Sequence, residues 1–275
     1  MPELPEVYTI TKDLYNNILK YTIKECSITK GYIAHPSNIT FINAIKNKKI
    51  IHVERIAKNI LFHLDNSHII HFHLAMTGQI LLKNINITPV TGWLRVLFKI
   101  QNKSQVKYLM FNDMRMFGKV ALLNNNDREK LLNKYGPEPI KENLTAFEFI
   151  EKIKSKKTNI KNALLDQSLV SGLGNIYATD ALYLAGINPL KSTKDITNKE
   201  GEILLKSAKQ VLLEGISNRG STLSDKKYVD IFGNEGNHQN HFKIYSKSVC
   251  PKCGGAVEYK KINGRGSYFC IICQQ

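Results

Sequence analysis

Four cysteines near the end of the chain constrain its folding more than any other feature. They form two C-x2-C pairs, Cys250 with Cys253 and Cys270 with Cys273, and sixteen residues separate the pairs. Each pair can occupy one side of a tetrahedral Zn²⁺ ion, and the segment between the pairs is long enough for a β-hairpin. The pattern predicts one structural zinc, because four thiolates leave no position open for catalysis. Two disulfides are the alternative, which a reducing compartment disfavours.

The net charge of the chain indicates which class of partner it binds. The 275 residues carry a formal net charge of +16, and 43% of them are hydrophobic, which is enough for packed cores. Such an excess of positive charge favours a nucleic-acid partner, because lysine and arginine release counterions from phosphates. The alternative is a lysine-rich composition set by genome bias.

The sequence shows no feature of export or membrane insertion. The first residues carry acids instead of a basic segment followed by an apolar one, so they do not resemble a signal peptide. No apolar run approaches the roughly 18 residues of a membrane span. We therefore expect a cytoplasmic, nucleoid-associated monomer without membrane contact.

Hydrophobic periodicity predicts an α+β chain of several domains. Residues 1–134 are predicted to form a β-sandwich with flanking helices, 135–241 a helical domain, and 242–275 the zinc hairpin. Residues 219–241, rich in Gly, Ser, Asn and Asp, are predicted to form a long functional loop. The predicted strands are Ile50–Ile56, Ile60–Leu64, Ile69–Leu74, Gln79–Leu82, Trp93–Ile100, Val106–Phe111 and Lys119–Leu123. The predicted helices are Glu6–Lys20, Thr145–Ser155, Ile160–Asp166, Ile176–Ala185 and Lys199–Asn218.

The start of the chain offers an unusual nucleophile. If Met1 is removed, Pro2 becomes a secondary α-amine, and α-amino groups titrate near pH 7.7–8.0. A useful fraction is then uncharged at neutral pH and can attack a sugar C1′ to form an iminium ion. Glu3 follows directly and can act as a general acid–base. A bare N-terminus without any role is the alternative.

Several short motifs lie in order along the chain, at Met1–Val7, His73–Gly78, Asp113–Gly118, Gly136–Pro139, Gly172–Ala178 and Gly264–Gly266. Together they resemble the motifs of the bacterial formamidopyrimidine-DNA glycosylases. They match that family's opening segment, its loop of Asp-x-Arg-x-Phe-Gly type, its interdomain linker and its helix–two-turn–helix signature. The sister endonuclease VIII group typically has Gly where this chain has Leu4.

The resemblance implies a bifunctional glycosylase and AP lyase of base-excision repair. Pro2 would displace the damaged base and form the Schiff base, while Glu3 would protonate the opening sugar. Lys58 would serve β-elimination, and Arg265 would hold a phosphate and serve δ-elimination. Because an arginine is not deprotonated in proteins, the phosphate role is favoured. Without the resemblance, Lys58 is a solvated turn lysine.

The resemblance also implies residues that contact double-stranded DNA. Met76, Arg115 and Phe117 would fill the gap left when the damaged base is flipped out. Without the resemblance, Met76 and Phe117 are interpreted as core residues.

Further DNA contacts are implied elsewhere in the chain. His73 would touch DNA, and Asn175 and Lys161 would bind its backbone, whereas the alternative for Asn175 is a helix N-cap. The loop from residue 219 to 241, including Ser221 and Thr222, corresponds to the family's lesion-recognition loop. The DNA is expected in a basic cleft between the lobes.

Departures from the family pattern affect lesion preference more than chemistry. Ala75 replaces a Gly, Arg219 replaces the first of two glycines, and Thr91 with Trp93 stands where a DNA-contacting His is common. The expected substrates are 8-oxoguanine and formamidopyrimidines, with no organic cofactor. The alternatives are an endonuclease VIII-like enzyme for oxidised pyrimidines and a non-catalytic zinc-ribbon DNA-binding protein.

Overall fold

The computed structural model describes residues 2–84 and 92–275 and consists of two compact units. Met1 and Thr91, on which two of the sequence-based interpretations depend, lie outside the described residues. Unit 1 comprises Met1–Leu132 and Arg219–Asn237, and unit 2 comprises Asn133–Asn218 and His238–Gln275.

Unit 1 contains two four-stranded antiparallel sheets, of order β1-β6-β7-β5 and β2-β3-β4-β8. Burial alternates along β5, which gives that strand one apolar face for another layer to cover, whereas β3 and β4 are buried on both faces. The strands are β1 (Thr22–Ile28), β2 (Ile50–Ile56), β3 (Asn59–Leu64), β4 (Ile69–His73), β5 (Gly78–Lys83), β6 (Leu94–Asn102), β7 (Gln105–Asp113) and β8 (Lys119–Leu123).

Aromatic rings from both sheets meet in the core of unit 1. The Phe72 ring of β4 lies 6.0 Å from Phe98 of β6 and 5.9 Å from Phe111 of β7. Phe62 of β3 packs 5.0 Å from Phe72. Since the four side chains are at most 1% exposed, the two sheets pack face to face and confirm the predicted β-sandwich.

Three helices flank the sandwich. Helix α1 (Leu4–Ile18) starts two residues before the predicted one, with Pro5 in its first turn and the apolar face of Val7, Ile10 and Leu14 fully buried. The sequence did not predict α2 (Asn38–Ile45) or α3 (Asn125–Leu132). Helix α2 starts at a side-chain cap, because Ser37 Oγ accepts the Thr40 N–H, whereas α3 has no buried residue.

The segment Arg219–Asn237 belongs to unit 1, although the predicted limits placed it with the helical domain. Tyr228 and Ile231 are buried in the apolar core of this unit. The Leu82 N–H donates to the Ile231 carbonyl at 2.7 Å, which ties the segment to strand β5. The segment is therefore anchored by packing and by backbone hydrogen bonds, and not by its local composition.

Unit 2 contains four helices and one hairpin, which confirms the helical region and the C-terminal β-hairpin. Capping boxes at Thr145 with Glu148 and at Thr197 with Glu200 start α4 and α7. None of the described helices is long and apolar enough to span a membrane. The elements are α4 (Ala146–Lys154), α5 (Ile160–Leu165), α6 (Asn175–Ala185), α7 (Asn198–Ser217), β9 (Glu258–Ile262) and β10 (Arg265–Phe269).

A buried histidine in unit 2 makes its stability sensitive to acid. His238 is fully buried, stacks on Tyr177 with ring centroids 5.2 Å apart, and has no hydrogen-bond partner on either ring nitrogen among the described residues. Burial lowers the pKa of His238 to about 4, with His241 and Lys243 adding to the effect and Glu214 opposing it. The folded protein therefore binds this proton only at a lower pH than the unfolded chain does.

We predict that the free energy of unfolding falls as pH drops from about 6.5 towards 4, because protonation then favours the unfolded state. The loss assigned to His238 is roughly 2–4 kcal/mol, at about 1.4 kcal/mol per pKa unit. His238→Phe, which keeps the aromatic stack, is expected to remove this part of the slope in urea titrations. The control His35→Gln, at an exposed position, is expected to retain it. Equal slopes in both variants would contradict the assignment.

Candidate active site

The first residues of unit 1 are held in place by a carboxylate. Pro2 is buried and Glu3 is 2% exposed, directly before helix α1. The Glu3 N–H donates to Glu6 Oε2 at 2.8 Å, and the other oxygen of Glu6 accepts the Ser221 N–H at 2.8 Å. The backbone next to the predicted nucleophile and the segment that starts at Arg219 thus share one buried carboxylate.

Lys58 lies in the turn of the β2–β3 hairpin and is only 8% exposed. The turn has a left-handed residue, Ala57, with φ +51. Arg55 donates to the Ala57 carbonyl at 2.7 Å, and Asn59 Nδ2 donates to the Ile56 carbonyl at 2.9 Å. These bonds fix the conformation of the turn, and the burial of Lys58 itself disagrees with the solvated lysine of the alternative interpretation.

His73 lies at the end of β4 and is paired in register with Asn59 on β3 and Lys119 on β8. Burial lowers the pKa of His73, and the positive charges of Lys58 and Lys119 lower it further. The imidazole is therefore favoured in its neutral form, able both to donate and to accept a hydrogen bond.

Met76, Arg115 and Phe117 come together at the surface of unit 1. The Arg115 guanidinium lies 4.7 Å from the centre of the Phe117 ring, and Arg115 Nη1 lies 3.5 Å from Met76 Sδ. Met76 is 40% exposed and Phe117 is 60% exposed, so neither is a core residue. An exposed aromatic ring beside a flexible thioether and a guanidinium is suited to contact stacked bases.

The fully buried carboxylate of Asp113 shapes the loop that carries Arg115 and Phe117. It accepts hydrogen bonds from the Thr77 hydroxyl, from the Arg115 N–H at 3.2 Å and from the Gly118 N–H at 2.6 Å. Gly118 is required here, since an added Cβ would lie 2.9 Å from Asp113 Oδ2 and 2.8 Å from the Phe111 ring. Asp113 thus joins the Met76 segment to the Arg115 loop.

Arg265 lies in unit 2, at the first position of β10 after the left-handed Asn263 and Gly264. Its side chain is exposed and lines a groove of about 840 Å³, together with Lys156, Lys157 and Thr158. Lys156 is paired with Asp166. The groove is predominantly positive and can receive an anionic group.

Lys161 and Asn175 occupy places that differ from the sequence-based interpretation. Lys161 is fully buried, and its ammonium donates to Thr179 Oγ1 at 2.9 Å, Ser267 Oγ at 2.6 Å and the Gly266 carbonyl at 3.3 Å. It is therefore not a solvent-facing phosphate ligand in this structure. Its burial instead joins helices α5 and α6 to strand β10.

Asn175 is the first residue of α6 and not its N-cap, which is Gly174. Its Nδ2 donates to the same Gly266 carbonyl at 2.9 Å. The neighbour of Arg265 in the chain is thus held by two donors. The Oδ1 atom of Asn175 is buried and has no partner among the described residues.

The four clustered cysteines form a candidate metal site in unit 2. Their sulfur atoms all lie within 4.8 Å of one another, with 3.9 Å between Cys250 and Cys273 and 3.5 Å between Cys253 and Cys270. Tetrahedral zinc–thiolate bonds of about 2.3 Å place sulfurs about 3.8 Å apart, so this donor set fits. Although burial opposes it, hydrogen bonds from Tyr183 and from backbone N–H groups lower the pKa of Cys250 to about 6.

The segment from Cys250 to Cys273, here called the knuckle, is fixed to the chain just after the end of helix α6. Gln274 is 1% exposed, its Oε1 accepts the Cys270 N–H at 3.0 Å, and its Nε2 donates to the Ile187 carbonyl at 2.8 Å. The fifth cysteine, Cys26, is half-buried against the apolar core of unit 1, and burial raises the pKa of its thiol to about 12.

Sequence reasoning did not identify Glu6, Thr77 or Asp113 as individual site residues, although each lies inside a motif that it used. Their side chains act on backbone groups and on other protein side chains, which local residue patterns do not report. Arg219 was noted only as a departure. In the structure it pairs with Asp13 and Asp230.

Two family models match the chain. The formamidopyrimidine-DNA glycosylase N-terminal domain matches residues 1–120, and the formamidopyrimidine-DNA glycosylase H2TH domain matches residues 135–227. The chain belongs to the formamidopyrimidine-DNA glycosylase family, and is by family an enzyme of DNA repair.

Individual relatives agree with this membership over the full length. Proteins named formamidopyrimidine-DNA glycosylase from Pelotomaculum thermopropionicum and from a Wolbachia of Brugia malayi are 37% and 34% identical, covering 100% of this chain and 99% and 100% of theirs. A mutant Lactococcus lactis FPG in complex with Fapy-dG-containing DNA has a TM-score of 0.91 at 29% identity, covering 100% of both chains. The Thermus thermophilus MutM (FPG) has a TM-score of 0.86 at 31% identity, covering 99% of this chain and 98% of its own.

We predict that Asp113→Ala lowers the free energy of unfolding by about 2–4 kcal/mol, because it leaves several buried donors without an acceptor. Urea titration monitored by circular dichroism measures this loss. The exposed Asp195→Ala serves as the control and is expected to change stability by less than about 0.5 kcal/mol. A comparable change in both variants would show that Asp113 does not organise the loop.

Proposed function

We propose that the protein is a bifunctional DNA glycosylase and AP lyase that removes oxidised purines from duplex DNA with Pro2 as its nucleophile. The observation that carries the proposal is the fixed start of the chain, where Pro2 and Glu3 are buried and the Glu3 N–H is bound by Glu6. Removal of Met1 is part of the proposal, since an acylated proline nitrogen has no lone pair for attack.

In the proposed reaction, the Pro2 nitrogen forms a bond to the sugar C1′ as the bond from C1′ to the damaged base breaks. The released base takes up a proton. Glu3 protonates the ring oxygen of the sugar, which opens the ring and leaves an iminium ion on C1′. Loss of a proton from C2′ then expels the 3′ phosphate, and a second elimination expels the 5′ phosphate. Water hydrolyses the iminium ion and regenerates the amine.

Lys58 and Arg265 take the supporting roles. Lys58, whose turn is fixed by hydrogen bonds among its neighbours, is proposed to assist proton transfer in β-elimination and to hold a phosphate. Arg265 is proposed to bind a backbone phosphate, which its exposed position in a positive groove supports. Because Lys161 and Asn175 both bind Gly266, we assign them to the positioning of Arg265.

Met76, Arg115 and Phe117 are proposed to fill the stack that the flipped base leaves, and His73 to contact the DNA nearby. Their mutual contact and their exposure support this role. The ring and the thioether supply apolar surface for stacking, while Arg115 can donate hydrogen bonds to the unpaired base. Residues 135–241 would form the DNA-binding domain, and residues 219–241 the lesion-recognition loop.

The proposed preference for oxidised purines rests on the similarity of this chain to solved relatives. Solved relatives carry Fapy-dG-containing DNA or abasic DNA, at TM-scores of 0.91 and 0.90 and 29% identity. The same likeness supports damaged double-stranded DNA as the partner of this chain.

The metal of the cysteine site is proposed to be zinc. Four thiolates at tetrahedral spacing match a structural zinc site, and zinc would supply folding energy there without taking part in the reaction. Cys250, Cys253, Cys270 and Cys273 would hold it, and Gln274 would join the knuckle to helix α6.

We predict covalent trapping of the protein by borohydride on a duplex that contains 8-oxoguanine opposite cytosine, after mass spectrometry has verified that Met1 is removed. Pro2→Gly is expected to weaken the trapped band strongly. Arg128→Gln, remote from these residues along the chain, is expected to trap as the parent does. Trapping only with oxidised pyrimidines would move the specificity to those bases. No band with any substrate, abasic duplex included, would refute the enzyme.

We further predict one equivalent of zinc per chain by atomic emission. Chelation, or Cys270→Ser, is expected to release the metal and unfold the segment from Cys250 to Gln275. Hydrogen exchange of that segment measures the change, with residues 50–64 of the β2–β3 hairpin as the internal reference. Metal-free protein with unchanged protection would contradict a structural ion.

A further inference from the structure

Arg219 stands at an unusual backbone position. It is the first residue of the segment Arg219–Asn237 and has φ +58, in the left-handed region where side chains other than Gly, Asn and Asp are disfavoured. The next residue, Gly220, has φ +80, and an added Cβ there would lie 2.8 Å from Glu6 Cγ. The chain therefore turns sharply against the start of α1, and Arg219 is held in this turn despite its conformational cost.

The guanidinium of Arg219 binds two carboxylates from different parts of unit 1. Its Nη2 lies 2.5 Å from Asp13 Oδ2 on helix α1 and 2.7 Å from Asp230 Oδ2 within the segment itself. The hydrogen bond to Asp13 is the main cause that raises the pKa of Arg219. The side chain of Asp230 is only 3% exposed, so this carboxylate depends on its partners more than a surface group would.

Asp230 in turn fixes the far side of the segment. Its Oδ1 accepts the N–H groups of Phe232 and Asn234, each at 2.9 Å. Although burial opposes it, these bonds and Arg219 hold the pKa of Asp230 below its usual range. The Tyr228 hydroxyl donates to the Arg219 carbonyl at 2.7 Å. The Arg219 side chain thus joins the two ends of the stretch from Arg219 to Asp230 and attaches it to α1, and the Arg219 carbonyl binds Tyr228 within the same stretch.

The closed segment contacts the proposed catalytic residues through Glu6. Ser221, two residues after Arg219, donates its N–H to the carboxylate that also binds the Glu3 N–H. A displacement of the turn at Arg219 therefore moves one of the donors that satisfy Glu6. The position of the segment and the position of the nucleophile are coupled through this single buried group.

We propose that Arg219 is a positioning residue that holds the segment Arg219–Asn237 against helix α1 before substrate binds. The segment is thus prepared for lesion recognition without being ordered by DNA. This inference rests on the proposed function, in which the segment contacts the lesion. Arg219 itself touches neither the sugar nor the base and acts through Asp13 and Asp230.

The variant Arg219→Asn tests the proposal, because asparagine tolerates the left-handed backbone and lacks the charge. In the protein without DNA, we expect hydrogen exchange within residues 219–237 to accelerate about tenfold, which reflects loss of about 1.4 kcal/mol of local protection. Asp13→Asn is expected to have a similar effect. The double variant is expected to exchange no faster than Arg219→Asn alone, since both changes break the same ion pair.

The matched control is Arg128→Asn, which removes another arginine–carboxylate pair of unit 1, with Glu54. Residues 219–237 are expected to exchange in it as in the parent. Unchanged exchange in Arg219→Asn would overturn the proposal. So would an acceleration spread evenly over the whole chain, because that result indicates global destabilisation instead of a local anchor.

Kinetics separate the positioning role from the chemistry. With a duplex containing 8-oxoguanine, Arg219→Asn is expected to raise KM about three- to tenfold and to change kcat less than about twofold. The reason is that the loosened segment of the variant must be ordered when the substrate binds, whereas the segment of the parent is already in place. A loss confined to kcat would overturn the proposal. Borohydride trapping of the parent on abasic DNA tests the proposed function separately, whereas the exchange experiment needs no substrate.

Discussion

The buried carboxylate of Glu6 is the constraint on which the functional part of unit 1 depends. It binds the Glu3 N–H and the N–H of Ser221, a residue 215 positions later in the chain. Hydrogen bonds to a charged group contribute about 1.5–3 kcal/mol each, and a buried carboxylate that loses its donors costs more than the bonds gave. Glu6 therefore has both of these donors only when the segment after residue 218 has returned to α1. The surroundings of the proposed nucleophile are complete only with that segment in place.

The same principle recurs where the side chains proposed to contact DNA are exposed. Met76, Arg115 and Phe117 gain little from burial, yet they lie together at the surface because Asp113 binds the loop that carries them. In unit 2, the exposed Arg265 is followed by Gly266, and the buried ammonium of Lys161 donates to the Gly266 carbonyl. In both places a buried charge supplies the rigidity that an exposed contact residue cannot supply for itself.

The sequence predicted the helices and strands well and the long-range contacts poorly. Short apolar runs located β2 to β8, and helical spacing of apolar residues located α1 and α4 to α7, because each of these elements buries apolar side chains. Helix α3 buries no residue, so it has no apolar stripe to detect, and α2 depends on the Ser37 cap within a strand-rich region. The metal-site cysteines were found because C-x2-C spacing is itself local. Residues 219–241 were predicted only as a long functional loop, since only the fold reveals that Tyr228 and Ile231 enter the core.

Lys161 and Arg219 show why the roles of charged residues resist such prediction. Local pattern assigns a lysine or arginine to solvent or to phosphate, because burial of an unpaired charge is expensive. The fold reverses this when it supplies partners, as Thr179, Ser267 and Gly266 do for Lys161, and Asp13 and Asp230 do for Arg219. The partners of Lys161 lie on α6 and β10, and Asp13 lies on α1, far from Arg219 in the chain, so no short window of sequence contains either set. A charge that is paired internally is less available to a phosphate, so under the proposed function its effect on DNA binding passes through the geometry of its neighbours.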